Sequence, residues 1–166
     1  MKSSLLLAVL LLAGTSLRAQ TAPPLPTEAG QFDFWVGDWE VSSSDGKKAG
    51  ESRIEKIGAG WGLLENWTGA GGGTGKSLNT WLPEKKQWRQ FWVGNGGALE
   101  LTGALNAHGE MVLAGTTRTV AGGTQLERIT WTPNADGTVR QFWQQSTDGG
   151  ATWITAFDGL YRKKAR

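Results

Sequence analysis

Cysteine is missing from all 166 residues, and histidine and tyrosine occur once each. Without cysteine there are no disulfides, no thiolate nucleophile and no thiolate metal site, and no residue after the N-terminal apolar run could carry a lipid anchor. With one histidine besides, no metal centre is expected, and the composition calls for no cofactor. His108 sits in an Asn106-Ala107-His108-Gly109 turn and reads as a solvent-exposed turn residue rather than a general base. Charge of one sign is also lacking. The formal +2 comes from 17 basic and 15 acidic residues, but Lys2 and Arg18 lie in the first nineteen, so residues 20–166 carry 15 of each. The only basic run is Arg162-Lys163-Lys164-Arg166 at the tail. Nucleic-acid binders carry a basic face; none is visible, and no nucleic-acid partner is expected.

Long hydrophobic runs are absent too. The longest, residues 5–13, holds nine apolar residues, against the roughly 20 that span a bilayer. It follows Met1-Lys2 and precedes Thr15-Ser16-Leu17-Arg18-Ala19, the layout of a secretory signal peptide cleaved after Ala19. The expected organisation is a signal peptide over 1–19, a linker over 20–30 that holds three of the five prolines, and one domain over 31–166. The mature chain is then exported, periplasmic or secreted, with no integral membrane segment; its oligomeric state stays open.

What the chain has in abundance is glycine (25) and tryptophan (10). From Gln31 onward, short alternating runs are punctuated by Gly, Asn, Asp and Pro turns, which predicts strands over 39–44, 51–57, 61–68, 76–82, 87–93, 98–106, 111–120, 125–132, 138–146 and 152–163. Short connections demand antiparallel neighbours. About ten such strands in one domain either close or expose edges that invite aggregation, and closure is the simpler solution. The predicted fold is all-β, a single antiparallel barrel of roughly ten strands. An internal repeat agrees: Thr80-Trp81-Leu82-Pro83 through Arg89-Gln90-Phe91-Trp92 matches Thr130-Trp131-Thr132-Pro133 through Arg140-Gln141-Phe142-Trp143, two related hairpins with one extra residue in the second turn.

Two local motifs look functional and read as structural. Residues 70–77 fit a relaxed phosphate-loop pattern, but a phosphate loop needs a helix starting at its Lys-Ser, and here Lys76-Ser77 opens a strand. Ser146-Thr147-Asp148-Gly149-Gly150-Ala151-Thr152-Trp153 resembles the Asp-box of sialidase propellers, a turn staple in those families.

Strand alternation proposes a site. Gln90 and Trp92 share one face of their strand, and the repeat carries them onto Gln141 and Trp143; Glu65 with Trp67, and Asn79 with Trp81, stand at the same spacing, with Trp131 equivalent to Trp81. If these faces point inward, indole walls with a few hydrogen-bonding groups enclose a small-molecule site. The opposite faces carry Phe91 and Phe142, so the phase stays open.

Gly37-Asp38-Trp39 after Phe32-Asp33-Phe34-Trp35 resembles the G-x-W signature of lipocalins and other calycins, in which a helical turn precedes the first strand, the Trp plugs one barrel end and a late Arg sits beside it; Arg162 is the candidate here. More widely, FDFWVGDWEV, ENWTGAGGGTGKSLN, WRQFWVGNGG and the stretch 128–163 resemble an uncharacterised bacterial family of exported, calycin-like proteins. The resemblance implies a lipocalin-like barrel and export, and no established activity. Three readings follow. The first is a binding protein holding a small apolar or aromatic ligand among Glu65, Trp67, Asn79, Trp81, Gln90, Trp92, Trp131, Gln141 and Trp143. The second is a cofactor-free lyase or isomerase with Glu65 as general acid or base, paired with Arg128, Arg89 or Arg140 as in some calycin-like enzymes. The third is a structural or partner-binding domain with a dry core and an apolar patch on its outer wall.

Overall fold

A computed structural model describes residues 24–165. The expected signal peptide, 1–19, and residues 20–23 of the expected linker lie outside them. Ten strands follow one another: β1 (Gly37–Ser43), β2 (Lys48–Ile57), β3 (Gly62–Gly69), β4 (Thr74–Leu82), β5 (Gln87–Gly94), β6 (Gly97–Leu105), β7 (Met111–Arg118), β8 (Thr124–Pro133), β9 (Val139–Ser146) and β10 (Ile154–Lys163). Each pairs antiparallel with its neighbours in sequence, and β1 closes on β10 from Trp39↔Lys163 to Ser43↔Gly159. All ten predicted strands are present. Closure leaves no free edge.

One end of the barrel is plugged. Two 3-10 turns, Thr27–Gly30 and Asp33–Trp35, fold the segment before β1 across the barrel. The expected linker therefore ends early, since Thr27–Gly30 is turned and Ala29 is buried. Alternation Phe32-Asp33-Phe34-Trp35 supplies the stopper: Phe32 stacks on Trp35 at 5.0 Å and meets Trp131 edge-on at 5.2 Å and Trp88 at 5.6 Å. Trp35, Trp39, Trp88 and Trp131 are all fully buried there. Trp39 donates from its indole to the Trp35 carbonyl at 2.9 Å, which ties the stopper to β1.

The cation beside Trp39 is Lys163, whose Nζ lies 5.3 Å from the ring centroid, and not Arg162. Alternation explains the correction: Trp39 pairs with Lys163 in the ladder, and Arg162, one residue on, faces outward and donates to Ser42 Oγ. Residues 70–77 form no phosphate loop; Gly69 and Gly72 close a tight turn and Lys76-Ser77 lie inside β4. The Asp-box is a staple. Asp148 accepts from the Thr152 amide at 2.9 Å and from Ser146 Oγ at 2.7 Å, while Trp153 lies under Arg128 at 4.1 Å. Those donors hold the Asp148 carboxyl well below the usual carboxylate range, with Thr152 the largest cause.

Candidate functional site

The ladder registers settle the phase that the sequence left open. Trp88, Gln90 and Trp92 point inward, whereas Phe91 on the other face is 44% exposed. Above the aromatic floor the lumen holds a cavity of about 200 Å³. Glu65 and Trp67 from β3, Gln90 and Trp92 from β5, and Gln141 and Trp143 from β9 line it. Those are six of the nine expected site residues, brought together from three separate strands.

The other three lie elsewhere. Asn79 faces inward from β4 but is fully buried and does not line the cavity; it accepts from the Gln90 amide and so supports it. Trp81 and Trp131 belong to the floor, Trp81 against Trp88 at 6.4 Å and Trp131 against Phe32 and Trp35. Their face was inward as expected, but their depth puts them under the plug rather than beside the cavity.

The repeat is not a symmetric pair in space. In the first hairpin Asn79 pairs with Gln90 and Ser77 with Trp92; in the second Trp131 pairs with Gln141 and Ile129 with Trp143. The second ladder has slid by two residues, so both copies keep the same face while Trp143 meets a different neighbour.

Several lining residues carry no signal in the repeat. Ile129 and Leu99 supply apolar wall, and β10 contributes Ala156, Phe157 and Tyr161. A register shift between Thr155 and Phe157 leaves Ala156 without a cross-strand partner. This bulge presents two consecutive residues, Ala156 and Phe157, to the lumen, which regular alternation forbids. Tyr161 joins floor to cavity: its ring meets Trp35 at 6.2 Å, and its hydroxyl donates to Gln141 Oε1 at 2.5 Å. Burial, with Glu65 nearby, pushes the phenol well above its ordinary range, so it stays protonated.

Glu65 is the acidic residue of the cavity lining. It is 4% exposed. Ser52 Oγ on β2 donates to Oε1 and Ser77 Oγ on β4 donates to Oε2, each at 2.9 Å. Behind Ser77 the donors continue, from the Asn79 amide to Ser77 Oγ at 2.9 Å and from the Gln90 amide to Asn79 Oδ1 at 2.8 Å. Burial raises the Glu65 pKa from the ordinary 4.5 to about 7, opposed by the two serine hydrogen bonds.

Among the described residues no arginine pairs with it. Arg89 pairs with Glu100 and Arg140 with Asp158, each on the outer wall, and Arg128 stacks on Trp153. Each stands at odd parity to the inward residues of its own strand, so the expected Glu65–arginine pair is not formed. A second inward carboxylate, Glu127, stands toward the open end. It accepts from Trp143 Nε1 at 2.6 Å, from Thr117 at 2.7 Å and from Gln125 at 2.8 Å, and so fixes the Trp143 ring. Glu127 was legible as two residues before Ile129, in phase with Trp131; its hydrogen-bonded role was not.

Glycine shapes the aromatic walls. A Cβ on inward-facing Gly75 would stand 2.1 Å from Trp92 Cζ2, and one on Gly50 would stand 2.7 Å from Trp67. The indoles occupy the space that side chains would take, and so lie flat against the barrel wall. Phe157 lies against Gly159 in the same way.

On the outer wall Leu78, Phe91 and Val93 form a small exposed apolar patch across β4 and β5, with Leu78 directly opposite Phe91. Among the described residues no group of three His, Cys, Asp or Glu is placed to hold a metal ion, and no helix is long and apolar enough to cross a membrane. No protein-family model matches the chain, and no curated protein matches it.

Proposed function

We propose that this chain is an exported binding protein that holds a small ligand with an apolar or aromatic body in the barrel lumen. One observation carries this: inward polar and aromatic side chains from β3, β5, β9 and β10 converge on one hollow above a sealed floor. Hydrocarbon alone could fill a barrel of this size; instead a carboxyl and two amides, Glu65, Gln90 and Gln141, line an unfilled hollow among aromatic rings, the mix small-molecule sites use. The volume sets the ligand's size. A cavity of about 150 Å³ accommodates benzene, so about 200 Å³ suits one ring with a short substituent. Gln90 and Gln141 offer amide groups to orient it, and three indoles report its arrival.

Export is supported by the layout of residues 1–19. Kinship with the exported calycin-like family is supported by the closed barrel, the turn before β1 and Trp39 in the plug. A screen of small metabolites by tryptophan emission and melting temperature tests the binding function; compounds of one-ring size are expected to shift both. If none alters either property, the proposal fails.

A second reading has one observation in its favour. A carboxyl with a pKa of about 7 facing a cavity suits general acid or base chemistry at neutral pH. Under that reading Glu65→Gln abolishes turnover of a bound compound while its affinity survives. An outer-wall partner site is the third reading, and the Leu78–Phe91–Val93 patch is where it would act; the open lumen is not what a purely structural domain requires.

A further inference from the structure

Resting on the binding function proposed above, we infer that the ligand is a small organic cation, an ammonium or quaternary ammonium group on an apolar body. Glu65 is the one carboxyl lining the cavity, with Glu127 engaged by Trp143 toward the open end, and among the described residues no lysine, arginine or histidine lines it. The hydrogen bonds around that carboxyl run in one direction. Ser52 and Ser77 both donate to Glu65, and Asn79 and Gln90 extend the donor chain behind Ser77. Such polarity favours a carboxylate, yet burial disfavours it and the protein supplies no counter-charge. A cation brought by the ligand resolves that conflict; a neutral ligand leaves it standing, and an anion worsens it.

The walls point the same way. The indoles of Trp67 and Trp92 lie flat over Gly50 and Gly75, and Phe157 lies over Gly159. Trp67, Trp92 and Phe157 all line the cavity, and an aromatic face carries the negative end of the ring quadrupole. Trp67 and Phe157 meet edge to face at 6.1 Å, forming a corner. Several aromatic faces with an acidic group is the chemistry that recognises substituted ammonium ions.

The pH dependence follows from few groups. β2 and β4, which flank Glu65, offer it apolar Ile54 and the hydroxyls of Ser52 and Ser77, with no titratable group; β10 presents Tyr161, held protonated, and β8 presents Glu127, engaged with Trp143 toward the open end. With Glu65 at about 7, the free protein carries its proton at pH 6, and a bound cation expels it.

Calorimetry on the wild-type protein with benzylamine, benzyl alcohol and benzoate tests the inference. At pH 8 benzylamine is expected to bind on the order of tenfold more tightly than benzyl alcohol, with benzoate not binding. At pH 6, comparison of buffers with different ionisation enthalpies should show release of most of one proton per benzylamine bound. Glu65→Gln should bring amine and alcohol to near parity, and the proton release is read without any variant. Equal affinities for amine and alcohol in the wild type, or no proton release at pH 6, overturn the cation assignment and leave the binding function intact. No binding of any of the three overturns both.

Discussion

Replacing Glu65 by glutamine should change the pH dependence of stability in a direction opposite to that of an ordinary paired carboxylate. In the folded protein burial raises this carboxyl from 4.5 to about 7. Below the lower value both folded and unfolded chains hold the proton, and the group costs nothing. As pH rises from there, the unfolded chain gives up its proton while the folded chain keeps it, so folding loses about 1.4 kcal/mol per pH unit until the folded carboxyl ionises as well. Across the gap the loss sums to about 3 kcal/mol, nearly complete by pH 8. Glutamine has the shape of the protonated acid and cannot ionise; the two serine hydroxyls can turn to suit it. Urea unfolding of both proteins at pH 4 and pH 8 isolates the effect, since the other carboxylates cancel in the difference. The two should be close to equal at pH 4, and Glu65→Gln should be more stable by about 3 kcal/mol at pH 8, roughly 10 °C in Tm for a domain of this size. A difference independent of pH, or a wild type that gains on the variant as pH rises, would refute the buried, unpaired carboxyl.

The other expectations concern the walls and the floor. Gly75→Ala places a Cβ 2.1 Å from Trp92 Cζ2; the indole must swing into the lumen, costing about 1–3 kcal/mol and weakening ligand binding, as titration of tryptophan emission would show. Arg89→Ala, Arg128→Ala and Arg140→Ala remove outer-wall contacts, so each should leave ligand affinity unchanged and cost about 1 kcal/mol or less; a large affinity loss in any of them revives an arginine-assisted site. Trp131→Ala leaves a void under Phe32 and Trp35 and should cost about 3–5 kcal/mol in denaturant unfolding, enough to threaten folding.

The strands were legible because each alternating run ends at a residue that must turn: Asp45-Gly46, His108-Gly109, Gly122-Gly123 and Asp148-Gly149 all close hairpins. Face was legible only within a strand. Phe91 and Phe142 made either face of β5 and β9 a plausible interior, and contacts across the fold decided the matter: Arg140 covers Phe142 from outside at 4.4 Å, while Phe91 stands opposite Leu78 on the surface. Depth was not legible at all. Trp81 and Trp92 share an inward phase, yet one lies beneath the plug and the other beside the cavity, because residues 27–36 fold across one end only. The contribution of β10 was hidden by its bulge at Ala156, which no periodicity announces.

The claim on which the function rests is that the barrel is hollow beside Glu65. Diffraction from crystals of the protein soaked in benzyl alcohol measures this directly. Density for the ring among Trp67, Trp92 and Phe157, with its hydroxyl toward Glu65 or Gln90, is the result expected. A lumen packed solid with side chains, or the alcohol seated only on the outer wall at Leu78 and Phe91, would contradict it.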